Sequence, residues 1–172
     1  NNNINIVIPT IDNELLILSK FREYFKSFGI DIIISDYKLI ESCRDKRKTF
    51  DLFIDIGVNT PDLLQTDNLK FPFFMKPFDG SSSIGARMVS SPKELSFFDL
   101  NNANNIFQEM IPSSWTEYSA DLYFSKNGKL YACVPRERIQ TRGGEISKGI
   151  TRRNQVYEHI LENFSYLNFA RG

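Results

Sequence analysis

Lys76 stands at the end of an aromatic run, just ahead of a flexible loop, in Phe71-Pro-Phe-Phe-Met-Lys-Pro-Phe-Asp-Gly-Ser-Ser-Ser-Ile-Gly-Ala-Arg-Met-Val89. The lysine supplies a fixed positive charge. Gly80, Ser81, Ser82, Ser83 and Gly85 supply backbone amides and hydroxyls that can converge on anionic oxygens. A nucleotide's phosphate chain is the ligand that this chemistry fits. The arrangement is not the common P-loop, because Gly-x-x-x-x-Gly-Lys-Ser/Thr is absent and the lysine precedes the glycines. Further along, Arg136 and Arg138 in Val134-Pro-Arg-Glu-Arg138 offer guanidinium forks suited to a carboxylate or acyl phosphate, and Lys148 and Thr151 could add to the same face. His159 has no thiol or acidic partner nearby in sequence, so it reads as a helix-surface histidine, and no residues are assigned to a metal.

Composition narrows the choice of partners. The chain has 172 residues, 41% of them hydrophobic, enough for one substantial core or two small ones. Twenty-one basic and twenty-one acidic residues cancel, so no bulk field favours nucleic acid or an anionic membrane, and a ligand must be held locally. Cys43 and Cys133 lack metal or redox spacing, and neither a leader-like segment nor an 18-residue apolar span is present. The expectation is a reduced, cytoplasmic protein with a small-molecule substrate, no nucleic acid and no membrane, homo-oligomer formation being left open.

The elements that must position these groups follow from periodicity. Ile4–Ile8 and Ile30–Ile34 are apolar runs flanking a helical pattern (Leu15, Leu18, Phe21, Phe25, Phe28) that stops at Gly29, which predicts a β-α-β unit with parallel strands. Residues 45–56 read as a helix ending before Gly57, and a linker runs to about Lys70. Phe71–Met75 and Ala86–Val89 predict paired strands, and Ser91, Pro92 and Glu94 predict a short helix beginning there. A strand over 106–111 runs into the hinge-like Pro112-Ser113-Ser114. Asn127-Gly128 predicts a hairpin between 118–124 and 129–134. Arg136–Arg153 shows no periodicity and reads as an exposed loop, and 155–169 as a helix.

With the lysine, the Ser/Gly loop, Gln108-Glu-Met-Ile111 and Glu117-Tyr-Ser-Ala-Asp121 in this order, the chain resembles the ATP-grasp superfamily. The likeness is greatest to the branch containing the large subunit of carbamoyl phosphate synthetase, over roughly residues 30–153. The resemblance implies an α/β (α+β) fold in which ATP lies between two lobes beneath a mobile lid. It implies that Lys46, after Asp45, and Lys76 reach ATP, that Ser82, Ser83 and Gly85 drape the γ-phosphate, that backbone groups of Glu109 and Ile111 meet the adenine edge, and that Glu117 holds the ribose hydroxyls. From the residues alone, Lys46 is equally a solvated helix position, and Glu117 could instead pair across strands with Lys129 or Arg136. The family's glycine ahead of this glutamate is replaced by Pro112–Thr116. Magnesium is expected for the family, but the strand that carries its ligands is not in this sequence.

The implied organisation is the end of a Rossmann-like first domain over 1–40, the start of the large ATP lobe and a linker over 41–70, a lid subdomain over 71–111, and an incomplete antiparallel part of the large lobe over 112–172. These residues are accordingly expected to be part of a longer chain. The implied activity is ATP-dependent activation of a small-molecule carboxylate as an acyl phosphate, followed by attack of an amine, ammonia or thiol. Arg136 and Arg138 are the candidate substrate clamp. The alternatives are a non-catalytic nucleotide-binding regulatory module and a kinase of related fold.

Overall fold

The computed structural model describes residues 3–80 and 83–165 together with 167 and 170. Two compact units are formed by the described residues, one within Asn1–Cys43, Ala120–Pro135 and Arg153–Gly172, the other within Arg44–Ser119 and Arg136–Arg152.

In the first unit β1 (Ile6–Val7) pairs in parallel with β2 (Asp31–Ile32), joined through α1 (Leu15–Lys20) and α2 (Arg22–Ser27). The β-α-β expectation therefore holds, with one helix divided into two at Phe21, whose φ of −99° and ψ of 12° leave the helical basin. The stop at Gly29 has a clear cause. Its φ of +76° is open to glycine, and its amide bonds to the Lys26 carbonyl while Ile30 N reaches Phe25 O, the paired bonds that close a Schellman motif. The unit also contains most of α3 (Tyr37–Arg44) and, later in the chain, the amphipathic α6 (Gln155–Phe164), capped by the Asn154 side chain and buried at Ile160.

The second unit begins with α4 (Lys46–Asp55). The Asp45 carboxylate accepts the Arg47 amide at 2.9 Å, satisfying one of the orphan donors of the first turn, and Gly57 ends the helix in a second Schellman closure (φ +79°). A four-stranded antiparallel sheet follows, from β3 (Leu63–Leu64), β4 (Phe73–Pro77), β5 (Arg87–Val89) and β6 (Asn105–Glu109), in the order β3-β6-β4-β5. Alternation along these strands separates two chemistries. Phe73, Met75, Val89 and Phe107 fall on one face and form the buried core, with the Phe73 and Phe107 rings edge-to-face at 5.7 Å. Phe74, Lys76 and, across the register, Gln108 belong to the opposite face.

Two expectations are corrected here. The helix expected to begin at Ser91 is only a single 3-10 turn (Pro92–Glu94). The Glu94 carboxylate accepts from the Ser90 amide and the Ser91 hydroxyl, and the chain then extends through Leu95. The capping box that does form is Ser96 with Asp99, which starts α5 (Phe97–Asn101). Arg136–Arg153 is not a loop. Beyond β7 (Tyr118–Phe124), the strand β8 runs on from Leu130 to Arg142 and pairs with β9 (Glu145–Thr151). The pair closes through Gly143 and Gly144, both at positive φ (57° and 82°), as a two-residue hairpin turn requires. The strands are largely exposed on both faces, so apolar alternation was absent as a signal.

The core makes a direct prediction. Phe73→Ala should lower stability by about 3–5 kcal/mol, as for other buried aromatics, whereas Phe98→Ala, 82% exposed, should stay within about 0.5 kcal/mol. Urea denaturation of both variants measures the contrast.

Candidate functional site

Lys76 lies on β4 with its Nζ 5.9 Å from the centre of the Phe74 ring, two residues back on the same face. Among the described residues, no carboxylate pairs with it. Burial, and next the nearby charge of Lys46, push its ammonium below the ordinary lysine range. Lys46, the first residue of α4, sends its Nζ to the carbonyls of Gly80 at 2.6 Å and Phe78 at 3.3 Å, and its own amide also donates to Phe78 O at 2.9 Å. The helix start is thus tied to the segment that leaves β4. Two like charges held close, with Lys76 in no ion pair, make a site that an anion stabilises.

The loop after Lys76 is built around Pro77. A Cβ at Gly85 would come within 3.1 Å of Pro77 Cγ, and its φ of +73° independently strains any other residue there. Ser83 also sits at positive φ (58°), and its carbonyl accepts the Ala86 amide at 3.2 Å. Ser82 lies outside the described residues.

Lys76 is shared by two cavities of about 280 Å³ each. One is lined by Lys46, Phe74, Lys76, Pro77, Gly80, Ser83, Ile84, Ala86, Gly144 and Glu145. The other is lined by Pro61, Phe74, Lys76, Gln108, Glu109, Met110 and Ile111. Ile111 also borders a third cavity of about 530 Å³, with Trp115, Thr116, Glu117 and Tyr118 on its wall. Lys46, Lys76, Ser83, Glu109, Ile111 and Glu117 therefore lie along linked cavities, and Gly85 lies in the loop that borders the first. The Glu109 amide is already committed to Asp62 O at 2.8 Å. Gly144 and Glu145 were missed in the sequence. Their signal was the Gly-Gly pair of a hairpin turn, hidden inside a segment taken for loop.

The two arginines differ. Arg136 is half-buried on β8 opposite Thr151, whereas Lys148 is opposite Gln140. Arg138 turns inward. Its Nε lies 3.2 Å from Glu117 Oε1, Nη1 donates to Ser119 Oγ at 3.1 Å, and Nη2 to the Gly144 carbonyl at 2.7 Å. Glu117, just ahead of β7, thus pairs with Arg138, not with Lys129 or Arg136.

The donor set fits a polyphosphate: two ammonium groups, a tight glycine loop and a groove continuing past an apolar wall. It does not fit magnesium. Among the described residues no three His, Cys, Asp or Glu side chains converge.

The sequence profile of the ATP-grasp domain matches residues 43–167. This chain belongs to the ATP-grasp family. It is similar to the 3-methyl-D-ornithine–L-lysine ligase of Methanosarcina barkeri, 36% identical over 92 residues, covering 54% of this chain and 24% of the relative. The aligned part thus spans about a quarter of that relative's length. Two solved structures share the ATP-grasp fold. D-alanine-D-alanine ligase from Helicobacter pylori has a TM-score of 0.65 at 22% identity, covering 92% of this chain and 53% of that one. The biotin carboxylase domain of Hydrogenobacter thermophilus 2-oxoglutarate carboxylase, in complex with magnesium ADP, ADP and bicarbonate, has a TM-score of 0.66 at 15% identity, covering 94% and 43%. No described helix of this ATP-grasp chain is long and apolar enough to cross a membrane.

The lysine pair sets a pH dependence. Lys76 is depressed in the folded state, so between its folded pKa and the ordinary lysine value the unfolded chain binds more protons, and stability rises with pH across that window. A bound polyanion restores the ammonium and takes up a proton. Inorganic tripolyphosphate, followed by isothermal titration, should therefore bind more weakly as pH climbs through the depressed Lys76 pKa. Lys76→Arg should bind with a flatter profile, since guanidinium does not titrate there.

Proposed function

We propose that this ATP-grasp chain binds ATP along the linked cavities and serves ATP-dependent activation of a small-molecule carboxylate as an acyl phosphate. The observation that carries the reading is the position of Lys76, which borders both the cavity containing Lys46 and Ser83 and the cavity formed by 108–111. In this arrangement the adenine edge meets the Glu109 carbonyl and the Ile111 amide, Glu117 accepts from the ribose hydroxyls, and the phosphates lie toward Lys46, Lys76 and the loop of Ser82, Ser83 and Gly85. A carboxylate oxygen of the substrate attacks the γ-phosphorus and ADP departs. An amine, ammonia or thiol then attacks the acyl carbon and expels phosphate. An amine is favoured, because the curated relatives are named for 3-methyl-D-ornithine and L-lysine.

Such chemistry asks the protein mainly for positioning and for positive charge where negative charge gathers. Lys46 and Lys76 supply that charge at the phosphates. Arg136 is the candidate for holding the substrate carboxylate. The proposed organisation keeps 1–40 as the end of a Rossmann-like domain, 41–70 and 112–172 in the large ATP lobe and 71–111 as a lid. A cytoplasmic location accords with two free cysteines.

Lys76→Ala should weaken ATP binding by about 1.5–3 kcal/mol, the worth of a hydrogen bond to a charged group. Lys126→Ala, at an exposed hairpin tip where Nζ pairs with Asp31 at 2.7 Å, should leave affinity unchanged. Isothermal titration of the full-length protein reads both. Equal effects of the two substitutions would remove the site assignment. ATP binding without phosphate release against any carboxylate and amine would instead support the regulatory alternative.

A further inference from the structure

We propose that Arg138 is a positioning residue for the nucleotide, holding the Glu117 carboxylate in place for the ribose, and not a clamp on the carboxylate substrate. The inference rests on the nucleotide reading above, in which Glu117 takes the ribose hydroxyls. Its guanidinium nitrogens fan out to three different structures: Nε to the Glu117 carboxylate at 3.2 Å, Nη1 to Ser119 Oγ at 3.1 Å and Nη2 to the Gly144 carbonyl at 2.7 Å. The Arg138 backbone amide adds a fourth tie, to the Glu117 carbonyl at 2.9 Å.

Burial decides the direction in which this group works. The Arg138 side chain is 16% exposed while that of Glu117 is 68% exposed. Arg138 is the inner member of the pair and Glu117 the member that meets solvent and the cavity beside Trp115 and Tyr118. The two Nη groups of Arg138 donate hydrogen bonds within the protein, while the buried Nε meets Glu117 as an ion pair without a hydrogen bond, so the charge is balanced by that carboxylate. Arg138 borders none of the three cavities described above. A planar fork is suited to the task, because its two hydrogen-bonded Nη groups set the plane that brings Nε to the Glu117 carboxylate, whereas an ammonium on a flexible stem sets no such plane. The strand register shifts just after Arg138, and its side chain reaches the Gly144 carbonyl in the hairpin turn. The same fork therefore holds the turn that brings Gly144 and Glu145 to the cavity of Lys46 and Lys76.

The test is the ratio of affinities for ATP and 2′,3′-dideoxy-ATP in the full-length protein, by isothermal titration. Wild type should prefer ATP by at least about tenfold, the value of charge-assisted bonds to ribose. Glu117→Ala should bring that ratio close to one. Arg138→Lys, which keeps the charge and volume, should bring it down similarly, with Glu117→Ala/Arg138→Lys no worse than either single change. A thermal melt establishes that each variant is folded, and Ser119→Ala, which removes one leg of the fork, serves if Arg138→Lys does not fold. Equal weakening of both nucleotides with the ratio kept would show a merely structural arginine and overturn the proposal. A ratio lost in Glu117→Ala but kept in Arg138→Lys would overturn it while sparing the nucleotide reading. Absence of ATP binding by the wild type would overturn both.

Discussion

The site depends on an electrostatic imbalance. Lys76 and Lys46 are near enough for one to depress the other's ammonium, Lys76 is half-buried, and no carboxylate among the described residues neutralises it. A protein interior normally avoids this arrangement, since a desolvated charge without a partner is unfavourable. It is tolerable where the missing partner is a ligand. The Phe74 ring beneath Lys76 and the carbonyls of Phe78 and Gly80 around Lys46 moderate the repulsion without cancelling it.

The rest of the second unit can be understood as the scaffold for that imbalance. Alternation along β4 separates Phe73 and Met75, which anchor the core, from Phe74 and Lys76, which face the cavities, so a single strand links stability to the site. Helix α4 brings Lys46 from the other side, its start held by the Asp45 cap. The loop after Pro77 is tied to Lys46 through its Phe78 and Gly80 carbonyls, with glycine at 80 and 85 where the Pro77 ring crowds the backbone. Each device is local, yet they meet at one charge.

Opposite this stands the β8–β9 hairpin, which contributes no cation to the lysine cavity but borders it with the Gly144 backbone and with Glu145. Its turn is conformationally obligatory, because both central residues occupy positive φ. Arg138 joins this turn to Glu117, through a hydrogen bond to the Gly144 carbonyl and an ion pair to the carboxylate, so the third cavity and the lysine cavity share one connection. Arg136, two residues earlier on β8, is opposite Thr151.

Much of this was legible in the chain itself. Gly29 and Gly57 marked helix ends because a Schellman closure demands positive φ, Asp45 marked a helix start because a carboxylate can accept first-turn amides, and the strand containing Lys76 was visible from its continuous apolar run. The misreadings have physical causes as well. Two Ser-x-x-acid patterns lay five residues apart, and which one capped a helix was decided by whether the chain extended at Leu95. The exposed β8–β9 strands bury no face, so no hydrophobic period announced them. What the sequence determined alone was the kind of local structure and the identity of the charges, since these follow from φ preferences, caps and side-chain chemistry. What only tertiary structure decided was which charges meet: that Lys46 lies beside Lys76, that Arg138 pairs with Glu117, and that a glycine turn nearly seventy residues past Lys76 borders the same cavity. Those pairings depend on strand register and long-range packing, which no local pattern encodes.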